Sequence, residues 1–364
     1  MHILNPAGAE MLAVDLTRDL ADQFDFIYLC LDGVGSLGKD LQNTGQRVYD
    51  LKRKAGIDWS LGKRIRKIIK EEQIDLIHAH QYTPYFYATM SRSISSTPPI
   101  LFTEHGRHYP DKKKLKHLLF NKLMFRKNDR VTGVGEFVKK ALVKKEGFSP
   151  EKVAVIYNGV NAKKFTTHTD PKIRDEIRKE LNIKDQQKII LQVARFHPVK
   201  DHATSVQAFK IYCQNHDNAV LVLVGAGQEI TKIKKLATDL GINHRVRFLG
   251  LRMDISILLA AADLFVLSSL SEGISVTLLE AMSIGVPICA TQVGGNSEVV
   301  LHNKTGLLSP RQDAQQLADH IATLLNHPLL AKEMATRGRE HFTQLFTQEK
   351  MHHAYRLLYQ QMLP

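Results

Sequence analysis

Short aliphatic runs alternate with longer helical patterns along this chain, and the series runs twice. Phe26–Leu31, Leu76–Ala79, Ile100–Thr103, Arg130–Gly133 and Val153–Ile156 read as strands. Between them Trp59–Glu72, Pro84–Ser93, Leu115–Arg126 and Glu136–Glu146 read as helices. Along the third of these, Leu115, Leu118, Leu119 and Leu123 share a stripe that Lys122 interrupts. A polar stretch from about 166 to 187 follows, and then the alternation restarts. Ile189–Val193, Val220–Val224, Val246–Leu249, Leu264–Leu267 and Ile288–Ala290 are strands, while His202–Cys213, Ile230–Leu240, Ile255–Ala261 and Val276–Ile284 are helices. Helical patterns near 312–325 and 347–362 close the chain. Strand–helix alternation implies a parallel sheet covered on both faces. The expected class is therefore α/β, with two doubly wound domains (1–165 and 166–345) facing each other across a cleft and a final helix, 346–364. Ligands of such sheets bind outside the carboxyl ends of the strands.

One such end carries the strongest signal. After the apolar run to Leu267, Ser271-Glu272-Gly273-Ile274-Ser275-Val276 leads into a helix that holds Glu280 just over a turn in. The loop and helix start offer backbone N–H groups to a phosphate. A carboxylate on either side can accept hydrogen bonds from hydroxyls at the two ends of a sugar–diphosphate–ribose ligand. Glutamates near helix starts also complement the macrodipole, and an isolated Glu-x7-Glu would leave that explanation standing. A second signal lies where the first strand of the later series ends, in Arg195-Phe196-His197-Pro198-Val199-Lys200-Asp201-His202. Arg195 can grip phosphate oxygens bidentately, and Lys200 is a compact point charge. Fixed cations there stabilise a leaving diphosphate as it gains charge. Gly225-Ala226-Gly227 is a glycine turn after the next strand, a weak signal by itself.

Glu-Gly at 272–273, Leu279-Glu280-Ala281-Met282, Gly285-Val286-Pro287 and Val293-Gly294-Gly295 through Glu298, with the Arg195–His202 pattern, resemble a known donor-site segment. It belongs to the large retaining glycosyltransferase family 4, which includes sucrose, trehalose and bacterial polysaccharide glycosyltransferases. The resemblance implies the GT-B fold, with an acceptor-binding first domain, a nucleotide-sugar-binding second domain, both Rossmann-like, and a last helix that crosses back. It makes Arg195, Lys200, Gly225, Leu249, Arg252, Glu272, Gly273, Ile274, Ser275, Val276 and Glu280 donor-binding candidates. Leu249 to Arg252 are expected beside the base. Glu104-His105-Gly106 resembles the segment whose histidine lies near the donor's reacting carbon, so His105 joins Arg195, Lys200 and Glu272 as catalytic candidates. Arg107 and His108 are expected at the acceptor, and His78 and His80 in the core or behind the site. Pro6-Ala7-Gly8-Ala9-Glu10 resembles a Gly-Gly-Ala-Glu loop with Ala7 replacing glycine, which makes Gly8 a phosphate or acceptor candidate. Asn158-Gly159-Val160-Asn161 with Phe165 matches a segment that usually carries aspartate at its last position, and a turn role is expected.

The implied reaction moves a hexose from a nucleoside diphosphate, UDP favoured over GDP, to a glycan or lipid-linked acceptor with retained configuration, in cell-envelope or exopolysaccharide assembly. No metal or other cofactor is expected, because side chains neutralise the diphosphate. Two alternatives stay open: a nucleotide-sugar epimerase of the same fold and a non-catalytic nucleotide-sugar-binding regulator. Incubation with donor alone separates the first, and donor binding without transfer marks the second.

Composition narrows the partners. The net charge of +13 is uneven: residues 1–165 hold 28 Lys/Arg against 18 Asp/Glu, a surplus of +10. The first half is expected to meet something anionic. With no recognition motif for nucleic acid, a phosphate-bearing lipid acceptor or peripheral contact with an anionic membrane fits better. Cys30, Cys213 and Cys289 lack metal-ligand spacing and read as reduced, buried thiols. No signal peptide or membrane span is legible, so a cytoplasmic location, at or near the inner membrane face, is expected.

Overall fold

Every strand pairing of the computed structural model is parallel. The structure describes residues 1–92, 98–106, 111, 115–162 and 171–363. The chain divides into two compact units. One is built from residues up to Asn158 together with those from Glu349 onward, and the other from Gly159 to Gln348.

In the first unit, β1 (Tyr28–Cys30) pairs with β2 (Val48–Asp50). Met1 and His2 run beside β1 without counting as a strand, their carbonyls accepting from Leu31 N–H and Asp32 N–H at 3.1 and 2.8 Å. A four-stranded sheet has the order β3 (Ile77–His80), β4 (Ile100–Glu104), β5 (Arg130–Gly133), β6 (Val153–Val155). The residues of β4 are all buried, as expected of a central parallel strand. Asp58 caps the helix Trp59–Glu71 by accepting from Ser60 N–H at 3.1 Å. Gly147, left-handed at φ 76°, ends the helix Glu136–Glu146. The last helix, Gln348–Met362, packs here. Its Tyr359 hydroxyl lies 2.6 Å from His78 Nδ1, and its Tyr355 hydroxyl 3.3 Å from Thr103 Oγ1.

The second unit has a six-stranded sheet in the order β12 (Leu307–Ser309), β11 (Ile288–Thr291), β10 (Leu264–Leu267), β7 (Lys188–Val193), β8 (Ala219–Val224), β9 (Val246–Gly250). From β7 the chain proceeds outward through β8 to β9, then returns to place β10 on the other flank of β7. That reversal is a topological switch point. Val206, Phe209, Leu221, Leu223, Leu264 and Leu317 belong to the core packed against this sheet.

The strands read from the sequence are present with ends shifted by a residue or two. β2 and β12 escaped it, because three residues give too little alternation to read. The helices Gly8–Asp19, Gly35–Asn43, Pro171–Glu180 and Pro328–Leu345 were also not singled out. The third of these lies in the stretch taken as a polar connection, and its sequence PKIRDEIRKE shows why. The leucine stripe of the helix Leu115–Met124 faces outward: Leu115, Leu119 and Leu123 are exposed, and Asn121 is its buried residue. Cys30 and Cys289 are buried, but Cys213 is only partly so, and all three are free.

A buried ion pair fixes the end of that helix. Arg92 donates to the Asp129 carboxylate and, at 2.7 Å, to the Met124 carbonyl. The same carboxylate accepts from Ile100 N–H at 2.9 Å and Arg126 N–H at 2.7 Å. Removing one partner of a buried pair leaves the other charge uncompensated. Asp129→Ala should therefore cost about 3–5 kcal/mol of stability, and Asp129→Asn, which keeps an acceptor, distinctly less. Equal denaturant midpoints for the two variants would contradict this account.

Candidate active site

The chemistry-bearing loops of the second unit leave neighbouring strands at one edge of the sheet. In spatial order they are Val293-Gly294-Gly295 after β11, Ser268–Ser275 after β10, Arg195–Asp201 after β7, Gly225–Gly227 after β8 and the Gly250–Met253 segment at β9. The β10 and β7 loops meet at the switch point. Leu270 N–H donates to the Val199 carbonyl at 2.8 Å, and the buried Ser268 hydroxyl donates to the Asp201 carbonyl at 2.7 Å.

Glu272 lies on the loop leaving β10 and is only 9% exposed. Its Oε1 accepts from Lys200 Nζ at 2.6 Å and from the Ser269 hydroxyl at 2.6 Å. The residues after it, Gly273 to Ser275, are buried and lead straight into the helix Val276–Ile284. No side chain caps that helix start, so its first amides are left to water or a ligand. Glu280 is half-buried on its second turn. Arg195 is exposed and forms no ion pair with a described residue. The unit thus joins a half-buried ammonium–carboxylate pair, a loose guanidinium and an uncapped helix start.

Two close backbone approaches hold this edge in shape. Gly294 (φ +53°) and Gly295 lie against the Glu272 and Gly273 carbonyls, and a Cβ on either would overlap those oxygens. Only glycine fits there. Gly225 (φ +140°) lies likewise against the Ala194 carbonyl, and its N–H donates to Gly250 O at 2.8 Å. Opposite it the register slips: Leu223 pairs with Phe248 but Val224 with Gly250. Leu249 is therefore bulged, a device that re-aims residues beside functional sites. Arg252 is committed inside the unit, its guanidinium paired with Glu180 and with Asp254 at 2.6 Å. Those partners raise its pKa, Asp254 foremost. Its neighbours Leu251 and Met253 stand out into solvent.

In the first unit, β3 and β4 bring three imidazoles together. His80 Nδ1 lies 2.8 Å from His105 Nε2 with the rings stacked, and the His78 and His80 centroids are 4.0 Å apart. His78 Nε2 reaches Thr103 Oγ1 at 2.7 Å. The other ring nitrogen of His105, Nδ1, is buried with no partner among the described residues. The expectation that His78 and His80 lie in the core or behind the site did not include the contact of His80 with His105. The only signal was its alternation with His78 along one strand end. Ala7 is extended (φ −144°) before the helix Gly8–Asp19 and carries no backbone strain, and Gly8 is exposed at that helix start. Asn158 is buried, and Val160 bridges to Thr347. The candidates Arg107 and His108, and Phe165 with them, lie outside the described residues.

Burial lowers the pKa of His78 to about 3 and of His105 to about 4, and it lowers that of His80 as well. Unfolded rings take up protons below about 6.5 while the folded ones stay neutral. Stability is therefore full above that pH and drains as pH falls toward about 4. Melting temperatures should fall steadily across this window. A His78→Asn variant, which cannot titrate, should show a shallower slope whatever its own melting point, and an unchanged slope would refute the assignment.

Comparisons with known proteins cover both units. The family model described as "Glycosyltransferase Family 4" matches residues 6–164, and that described as "Glycosyl transferases group 1" matches residues 173–341. N-acetyl-alpha-D-glucosaminyl L-malate synthase of Bacillus anthracis is 28% identical over 370 residues, covering 98% of this chain and 94% of its own. An Escherichia coli UDP-Gal:alpha-D-GlcNAc-diphosphoundecaprenol alpha-1,3-galactosyltransferase is 28% identical, covering 72% and 70%. A crystal structure of Anabaena HepE in complex with UDP and glucose superposes with a TM-score of 0.84 at 23% identity, covering 99% of each chain. A glycosyltransferase from Rickettsia africae gives 0.87 at 20% identity, covering 99% and 97%. With one family model on each unit and the fold shared along the whole length, the chain belongs to glycosyltransferase family 4 and has the GT-B fold.

Proposed function

We propose that this glycosyltransferase moves a hexose from a UDP-sugar to a hydroxyl of a glycan or lipid-linked acceptor, with retention, in cell-envelope or exopolysaccharide assembly. The supporting observation is the Lys200–Glu272 pair at the switch point, with Arg195 loose beside it and an uncapped helix start behind it. Glu272, gripped by Lys200 and Ser269, is suited to accepting hydrogen bonds from sugar hydroxyls rather than to attacking carbon. A double displacement needs two carboxyl groups about 5 Å apart around the sugar, and we nominate no such partner. The reaction is then front-face. The bond from the sugar's anomeric carbon to the diphosphate oxygen breaks, and that oxygen takes the acceptor's proton as the acceptor oxygen bonds to the same carbon. Arg195 and Lys200 offset the charge that builds on the diphosphate. Gly273 to Val276 supply amides to it, Glu280 holds the ribose, and His105 is the catalytic candidate of the first unit. Side chains neutralise the donor in this scheme, and no metal takes part.

The donor and acceptor follow the relatives. The E. coli enzyme is named for a UDP-sugar and a lipid-linked acceptor. The B. anthracis relative, which matches nearly the whole chain, is named for L-malate, and this favours a second reading with a small dicarboxylate acceptor. Thermal shifts with UDP-, GDP- and ADP-sugars rank the donor, because a ligand bound only to the native state raises its stability. Product masses with a polyprenyl-diphosphate-linked sugar or with L-malate then separate the acceptors. Transfer to malate alone would overturn the lipid-linked reading.

Arg195→Ala should lower turnover about 100- to 1,000-fold, with stability within about 0.5 kcal/mol of the parent, as for an exposed side chain. Lys200→Ala should lower turnover similarly but also cost about 1–3 kcal/mol, because it strands the Glu272 carboxylate. Turnover intact in purified Arg195→Ala would remove the electrostatic assignment. For Glu280→Ala the readout is nucleotide affinity, and normal UDP binding would argue against a ribose contact.

A further inference from the structure

The helix Leu115–Met124 turns Leu118 and Phe120 partly inward, but its one buried residue is polar. Asn121 donates to the Glu146 carbonyl at 2.8 Å, and His117 Nδ1 sits 2.9 Å from Glu146 Oε2. His117 also stacks on Tyr82 at 3.8 Å between centroids. Its outward side carries Leu115, Leu119 and Leu123, which are 75%, 63% and 73% exposed. At i, i+4 and i+8 they form one stripe, with exposed Lys116 on one side and exposed Lys122 and Arg126 along the other. An ordinary surface helix buries such leucines. Here hydrogen bonds, the Tyr82 ring and the Arg92 grip on Met124 O hold them in water.

A second apolar tip lies near it on the same unit. Ile57 and Trp59 are 57% and 68% exposed. The helix Tyr82–Met90 touches both places: Asp58 N–H donates to the Tyr87 hydroxyl at 2.9 Å, and the Phe86 ring lies 4.9 Å from that of Phe120. Exposed Lys52, Lys54 and Lys63 lie close to the tip along the chain, and exposed Lys67 and Lys70 follow two and three turns down the helix Trp59–Glu71. Between Lys112 and Lys127 the sequence has seven Lys/Arg and no Asp or Glu.

We propose that Leu115, Leu119, Leu123, Ile57 and Trp59 form a surface that docks on an anionic lipid bilayer, the leucines and tryptophan entering the headgroup layer and the lysines meeting lipid phosphates. Charge complementarity selects this occupant. The core of a protein interface is depleted of lysine, whereas lysine beside leucine and tryptophan suits a membrane interface. No helix among the described residues is long and apolar enough to cross a membrane, so the contact lies in the interface plane. This inference is independent of the transfer chemistry and is tested without it.

Co-sedimentation should use phosphatidylcholine vesicles with and without about one third phosphatidylglycerol. The parent should bind the anionic vesicles at least about ten-fold more than the neutral ones. Binding should weaken at about 0.5 M NaCl, where screening shortens to roughly 4 Å. Leu119→Glu/Leu123→Glu and Trp59→Ser should each bring anionic-vesicle binding down several-fold, with melting temperature and UDP-sugar binding retained. Equal binding to the two vesicle types, or full binding by the double variant, would overturn the proposal. So would a parent dimer that the double variant converts to monomer while vesicle binding is unchanged, since a second copy would then be the occupant.

Discussion

An ammonium and a carboxylate, Lys200 and Glu272, meet at 2.6 Å where two loops leave adjacent strands, and the rest of the candidate site is arranged around that contact. With both groups largely withdrawn from water, neither can leave without stranding the other. The pair positions the β7 loop, which carries Arg195, against the β10 loop, which runs on into the helix start. Ser269 adds a second donor to the same carboxylate oxygen and fixes which face of Glu272 remains for a ligand. Under the proposed function, a diphosphate arriving here would compete for Lys200 and free part of the carboxylate for sugar hydroxyls, which would couple donor binding to sugar orientation through one contact.

The backbone beneath this pair is held by shape. Gly294 and Gly295 let one loop press on the carbonyls of Glu272 and Gly273, and Gly225 does the same against Ala194. These approaches explain why glycine turns that mean little alone recur beside the charged residues. A methyl group at any of them would push these loops off their positions, a larger effect than the modest cost of the substitution in open structure.

The first unit solves a different problem. Its cationic surplus is displayed around apolar side chains that face solvent, while His78, His80 and His105 are withdrawn and neutral. One part of the unit sets lysines beside exposed apolar side chains, and another keeps uncharged ring nitrogens at the ends of β3 and β4. The last helix supports the latter, because Tyr355 and Tyr359 close the hydrogen-bond network behind His78.

Much of this was legible in the sequence because the signals are local. Strand and helix periods set the α/β series, and a glutamate five residues past a strand's last apolar residue has to lie on the following loop. What stayed hidden depends on partners far away along the chain. Lys200 and Glu272 stand 72 residues apart, and only the placing of β10 beside β7 joins them. The capture of Arg252 by Glu180 depends on a helix that looked like a charged linker. The direction of the leucine stripe could not be read either, since periodicity shows that a helix has an apolar face but not what lies opposite. Residue order along the chain determined the elements and the residues at their ends. Tertiary packing decided which ends meet and which faces remain in water, because strand order and burial are set by contacts between distant segments.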